Sequence, residues 1–166
     1  MLTALILASS FANATEVATA KKLGIGVATG PFYVSATGKY YLSKKSGISA
    51  YIGTSFALYN GARVNFESEF IEFADWDFGR LDRYWDAGID VGVWVSPFAY
   101  ADGHHDVAGQ LGIGGGVGVE LQFHKYPASV FVDGGLGVNA LNTCAYAAST
   151  FCLISPRGAA GGRWYF

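Results

Sequence analysis

Hydrophobic and polar side chains alternate with a period of two along most of this chain. Leu23, Ile25 and Val27 alternate with glycine and alanine in a first segment that ends at Gly30-Pro31, and the same pattern returns in later segments. Successive side chains of a β-strand point to opposite faces, so this period predicts strands. The further predicted strands are 32–43, 48–59, 63–73, 84–96, 110–123, 128–140 and a closing strand that ends at Phe166.

The segments between these strands are rich in turn residues. Lys44–Gly47 and His124–Pro127 predict short turns, and Asn60-Gly61 is the strongest hairpin signal in the sequence. We interpret 74–83 as a longer polar connection and 97–109 and 141–156 as loops. Eight strands of about 9–11 residues would use most of the chain and, joined as consecutive hairpins, predict an up-and-down barrel.

The polar face of the strands indicates which side of the barrel lies inside. It contains Gly112, Gly114, Gly116 and Gly118, whereas a solvated surface favours long polar side chains. A narrow lumen gives a reason for glycine, because larger inward side chains need the space. The other face is rich in Val, Leu, Ile and aromatic residues, Phe70 among them, as lipid contact requires. We therefore expect an all-β, eight-stranded antiparallel up-and-down transmembrane β-barrel; a soluble ligand-binding barrel is the alternative.

Charged residues on the polar face would form a network in the lumen. Six carboxylates and two cations belong to it: Lys39, Glu67, Glu69, Asp86, Asp90, Glu120, Asp133 and Arg163. Charges far from bulk water must be paired, so Lys39 and Arg163 are expected inside a carboxylate cluster, with Arg63 and Lys125 near the rims. We interpret this network as a polar filling of the lumen rather than an ion path.

The N-terminus and the composition set further limits. Residues 1–14 resemble a signal peptide, with an apolar stretch from Leu2 to Phe11 before Ala12-Asn13-Ala14; a short apolar strand or helix of the mature protein is the alternative. Residues 15–22 would then be a short N-terminal segment and 23–166 the barrel domain. Beyond the N-terminus no apolar run is long enough for a spanning helix, and a net charge of −2 gives no basic field for nucleic acid.

The closing stretch adds a resemblance to a known family. The chain from Leu23 to Phe166 resembles the small eight-stranded outer-membrane barrels that include the OmpA and OmpX membrane domains. The similarity rests on the alternation, on Gly-Lys-Tyr-Tyr at Gly38–Tyr41 and on the C-terminal motif, which Gly161, Trp164 and Phe166 match. Ala159 stands where the family usually has a polar residue.

The resemblance implies a bacterial outer-membrane location, lipid as surroundings and a last strand that the barrel assembly machinery recognises. We expect a monomer with a non-enzymatic structural, adhesion or envelope-stability role. The alternatives are a small ion or proton pore and a lipid-modifying enzyme. A deacylase of that kind needs His beside Ser, but the sequence has no His-x-Ser and all three histidines fall in predicted connections. His104-His105-Asp106 has no third ligand at diagnostic spacing, so we predict no metal and no cofactor.

The two cysteines both lie in the 141–156 loop. An exported protein meets an oxidising compartment, and the cysteine count is even, so we expect a Cys144–Cys152 disulfide. Two free thiols packed under the loop are the alternative.

Overall fold

The chain forms eight antiparallel strands that close into a barrel. The computed structural model describes residues 22–30, 34–55, 59–99, 105–142 and 154–166. The strands are β1 (Leu23–Thr29), β2 (Val34–Ser43), β3 (Ser46–Ser55), β4 (Tyr59–Trp76), β5 (Gly79–Ala99), β6 (His105–Phe123), β7 (Ala128–Asn142) and β8 (Ile154–Tyr165). Each strand pairs with the next, and β8 pairs with β1 from Gly24↔Tyr165 to Thr29↔Ala160. The predicted eight-stranded up-and-down antiparallel barrel is confirmed.

The two ends of the barrel differ in what the structure describes. The lower end, as we name it, holds Leu23, Phe166 and the turns at 44–45, 77–78 and 124–127. At the upper end the strands stop beside 31–33, 56–58, 100–104 and 143–153, which lie outside the described residues together with 1–21. The expected signal peptide and the Cys144–Cys152 disulfide therefore stay predictions. No helix in the described part of the chain is long and apolar enough to cross a membrane.

Two predicted connections are wrong. Asn60 and Gly61 lie inside β4, opposite Thr54 and Gly53 of β3, because cross-strand pairing overrides the local turn preference of Asn-Gly. The polar segment 74–83 is a continuous hairpin, in which β4 continues to Trp76 and β5 begins at Gly79. Its charged side chains are compatible with a strand because Asp82 faces the lumen and pairs there with Arg80.

The two longer loops begin later and end earlier than predicted. β5 extends to Ala99 and β6 begins at His105, so strand residues occupy both ends of 97–109. β7 extends to Asn142 and β8 begins at Ile154, which shortens the 141–156 loop in the same way. Pairing with a long neighbouring strand supplies hydrogen bonds that the turn-rich sequence of these segments does not reveal.

A β-bulge reverses the orientation of Phe70. Ser68 pairs with Trp85, but the next pair is Ile71 with Arg83, so β4 carries one extra residue there. The extra residue shifts the alternation by one position. Phe70, expected on the outer face, is instead 9% exposed and packs against Tyr41 and Tyr84 in the lumen.

The barrel has an apolar outside and a polar inside. Large apolar side chains are strongly exposed along the outer wall, among them Val27 (68%), Ile52 (71%) and Val117 (68%). The inward positions are buried and carry charge, as at Lys39 (1%) and Glu120 (0%). This distribution is the reverse of the one that water imposes on a folded domain.

Candidate functional site: the charged lumen

The lower half of the lumen contains a sealed ionic cluster, which we call the lower cluster: Lys39, Glu67, Glu120 and Arg163. The Lys39 Nζ lies 2.7 Å from the Glu67 Oε2 and also contacts the Glu120 carboxylate, and all three side chains are at most 1% exposed. Lys39, Glu67 and Glu120 lie in β2, β4 and β6 at inward-facing positions, and closure of the sheet brings their side chains together.

Aromatic rings surround the Lys39 ammonium. Its Nζ lies 4.6 Å from the ring centre of Tyr41, 4.2 Å from that of Phe70 and 5.2 Å from that of Tyr84. These distances are in the range of cation–π attraction. Three rings and two carboxylates therefore surround the ammonium, and the Lys39 side chain is 0% exposed.

Glu120 is the acceptor at the centre of the lower cluster. The hydroxyls of Ser129 and Tyr165 each donate to its Oε1 at 2.6 Å, and the Tyr41 hydroxyl donates to its Oε2 at 3.0 Å. The Arg163 Nη1 lies 3.8 Å from the Glu120 Oε1. With so many donors, the carboxylate has its lone pairs satisfied although it is fully buried.

Arg163 is held by contacts on several sides. Its guanidinium donates to the Thr37 hydroxyl at 3.1 Å and to the Tyr51 hydroxyl at 2.9 Å. The Phe131 ring stacks on the same group, with its centre 3.7 Å from the Arg163 Cζ. Arg163 therefore links β8 to β2 and β3 in one direction around the barrel and to β7 in the other.

A second group, which we call the upper cluster, lies towards the upper end: Arg157, Asp86, Asp90 and Arg63. The Arg157 Nε lies 3.0 Å from the Asp90 Oδ2, and its Nη1 lies 3.7 Å from the Asp86 Oδ1. Arg63 Nε donates to Asp90 as well. The Asn65 amide oxygen accepts a further hydrogen bond from Arg157 at 2.8 Å.

Glycines in β6 provide the space for the large inward side chains. A methyl group built on Gly114 would lie 2.7 Å from the Arg157 Cδ, and one on Gly118 would lie 2.6 Å from the Tyr84 hydroxyl. Both distances are shorter than two such atoms can approach. The glycine-rich face of β6 is therefore the complement of the side chains that fill the lumen.

The structure brings most of the predicted lumen residues together, in two groups rather than one. Lys39, Glu67, Glu120 and Arg163 form the lower cluster, whereas Asp86 and Asp90 belong to the upper cluster. Asp133 is partly exposed, and its carboxylate accepts a hydrogen bond from the Tyr51 hydroxyl at 3.2 Å. The side chain of Glu69 lies outside the described part of the structure.

The sequence analysis missed Arg157 and placed Arg63 only at a rim. Arg157 has the same parity as Arg163 in β8, six residues away, which is the signal that could have identified it. With both arginines and the Arg80–Asp82 pair counted, five cations face six carboxylates: Glu67, Asp82, Asp86, Asp90, Glu120 and Asp133. The described lumen is therefore close to charge balance rather than strongly acidic.

The three residues of the C-terminal motif lie where β8 closes the barrel. Gly161 is opposite Ala28 of β1 and Phe131 of β7, and the Phe166 amide donates to the Leu23 carbonyl at 2.9 Å. Trp164 and Phe166 point outwards and are 36% and 58% exposed. The motif therefore joins the last strand to the first and adds two aromatic side chains to the lower rim.

The described side chains do not form a metal centre. Among them no group of three or more His, Cys, Asp and Glu residues could hold a metal ion. His105 begins β6, but its side chain and the whole of His104 lie outside the described part of the structure. The two ionic clusters are suited to holding the strands in register through paired charges.

No family model, curated protein or solved structure matches the chain.

Proposed function

We propose that the chain is a bacterial outer-membrane β-barrel with a structural, adhesion or envelope-stability role and no catalytic activity. The observation that carries this proposal is the reversed distribution of polarity: exposed Val, Ile, Leu and aromatic side chains outside, paired charges inside. Lipid is the solvent in which such an outer wall is stable. A closed sheet also leaves no unpaired strand edge for the bilayer to solvate.

The filled lumen favours this role over that of a pore. Lys39 and its surrounding rings, with Glu120 and Arg163 beside them, occupy the lower half of the lumen, and the side chains of Lys39, Glu120 and Arg163 are 0% exposed. A conducting path would need water or an ion to pass through this packed group. We expect no ion conductance from the purified protein in planar bilayers.

The placement of the described histidine does not favour the lipid-modifying alternative. The His124 Nε2 lies 2.8 Å from the Asp75 Oδ1 at the lower end, where both side chains are well exposed. A serine nucleophile needs a histidine within hydrogen-bond reach to activate it. The pair of His124 with a carboxylate at a turn is better explained as a surface contact.

The proposal is tested by membrane extraction and gel mobility. The expressed chain should remain in the membrane pellet after carbonate washing, and its electrophoretic mobility should change on boiling because a closed barrel resists dodecyl sulfate until heated. A chain that is released by carbonate, or that folds to the same barrel in water without detergent, would instead support the soluble alternative. A deletion strain that becomes more sensitive to detergent would support envelope stability over adhesion.

A further inference from the structure

The outer wall carries a groove of about 740 Å³ over β5, β6 and β7. Each strand lines it with three consecutive residues, 83–85, 117–119 and 132–134, and Ile71 of β4 completes the lining. The middle residue of each triplet belongs to the inward parity. The flanking residues therefore form the groove, which lies on the face that we propose to contact lipid.

The floor of the groove is apolar and open at Gly134. A Cβ built on Gly134 would have no atom within 4 Å, and the residue lies opposite Val117 of β6 and Gly158 of β8. Trp85 forms a bulky wall, held edge to face against Phe66 with ring centres 6.2 Å apart. A trough of this shape fits an extended hydrocarbon chain.

Arg83 provides a positive charge at the lower end of the groove. It is exposed, and its cross-strand neighbours are Ile71 and Val119. Among the side chains that the structure describes, none forms an ion pair or hydrogen bond with the Arg83 guanidinium. An uncompensated guanidinium on an apolar wall needs an anion or water as its partner.

The position of Arg83 along the barrel indicates which anion is available. The next outward residue towards the lower rim, Leu81, pairs with Leu121, close to the end of β6 at Phe123. In a bilayer this level is near the headgroups, and an arginine side chain can extend its charge to them. A guanidinium binds two phosphate oxygens in a fork, a geometry that suits a phosphodiester.

We propose that the groove binds one phospholipid, with its phosphodiester on Arg83 and an acyl chain along Trp85, Val117 and Gly134. The proposal rests on the membrane location proposed above and adds a defined lipid partner to it. The bound lipid would supply the counter-charge that Arg83 lacks among the described residues and would fill the space above Gly134.

The test measures lipid binding to the folded barrel in nonionic detergent by native mass spectrometry. The probes are dioleoylphosphatidylglycerol and dioleoylglycerol, which share their chains and differ in the phosphate. Arg83→Gln removes the charge and Gly134→Leu fills the groove. Lys45→Gln, at an exposed turn of the same end, and Gly38→Leu, at an outward glycine with room for a side chain, are the matched controls.

We expect the wild type to bind the phosphoglycerol lipid about tenfold more tightly than the diacylglycerol, because only the phosphate can accept a charge-assisted hydrogen bond from Arg83. Arg83→Gln should abolish that preference, Gly134→Leu should weaken both lipids, and the two controls should bind as the wild type does. If Gly134→Leu does not fold, the loss of the phosphate preference in Arg83→Gln still tests the proposal.

Two results would overturn the proposal in distinguishable ways. A barrel that folds only in detergent but binds both lipids equally, or whose Arg83→Gln variant keeps the preference, removes the groove site and leaves the membrane location intact. A chain that forms a stable barrel in water would contradict both the lipid site in the groove and the membrane location.

Discussion

The two ionic clusters of the lumen differ in how completely they are enclosed. In the lower cluster, the ion-paired side chains are 0–1% exposed. Three hydroxyls donate to Glu120, and three rings lie against the Lys39 ammonium. In the upper cluster, Arg157 is 3% exposed, Asp86 and Asp90 are 7% and Arg63 is 12%. The upper group is therefore partly exposed at its edge, whereas the lower group is buried.

The stability of the barrel should depend on exact charge pairing mainly in the lower cluster. A buried charge that loses its partner has no solvent to replace it, whereas a charge near the end of the lumen can be rehydrated. The lower cluster should therefore behave as one unit whose loss unfolds the barrel, and the upper cluster as a set of contacts that tolerate change.

The largest effect is expected from Glu120→Leu. The substitution leaves Lys39 and Arg163 with fewer counter-charges, and removal of one partner from a buried ion pair costs about 3–5 kcal/mol of unfolding free energy. Urea titration of the refolded barrel in detergent, followed by gel mobility, measures this cost. Glu72→Leu, at an exposed position of β4, is the control and should change stability little. Equal effects of the two substitutions would contradict the enclosed character of the lower cluster.

A smaller effect is expected from Arg157→Met in the upper cluster. Asp90 keeps Arg63 as a partner, and Asp86 can be reached by water, so the expected loss is about 1–3 kcal/mol, the cost of leaving a buried polar group unpaired. The same titration applies. If Arg157→Met destabilised the barrel as much as Glu120→Leu, the distinction between the two clusters would fail.

The smallest effects are expected from two tyrosines of the lower half. The Tyr165 hydroxyl donates to Glu120 at 2.6 Å, whereas the buried Tyr84 hydroxyl has no hydrogen-bond partner in the described structure. Tyr165→Phe should cost about 1.5 kcal/mol, because the bond is to a charged group but two other hydroxyls still donate to Glu120. Tyr84→Phe should be neutral or slightly stabilising because an unsatisfied polar group is removed. The two variants are matched controls for each other, and a larger loss at Tyr84 would show that its hydroxyl has a partner.

The alternation of side chains made the strands and their faces predictable. The inward parity of Lys39, Glu67, Glu120 and Arg163 follows from a period of two, a property of the strand backbone that each segment shows by itself. The same local rule failed at Phe70, because the bulge between Ser68 and Ile71 depends on pairing with β5. It also failed at Asn60-Gly61, where the neighbouring strand outweighed the preference for a turn.

The alternation along the chain is therefore enough to predict strands with one apolar face and one charged face. Which charges meet depends on how the strands assemble into the closed barrel. Lys39 and Glu120 are 81 residues apart and come into contact through closure of β8 on β1 and the register of every hairpin between them. The division of the charges into a sealed cluster and an accessible one depends on that register, which is a sum of non-local pairings that no single segment encodes.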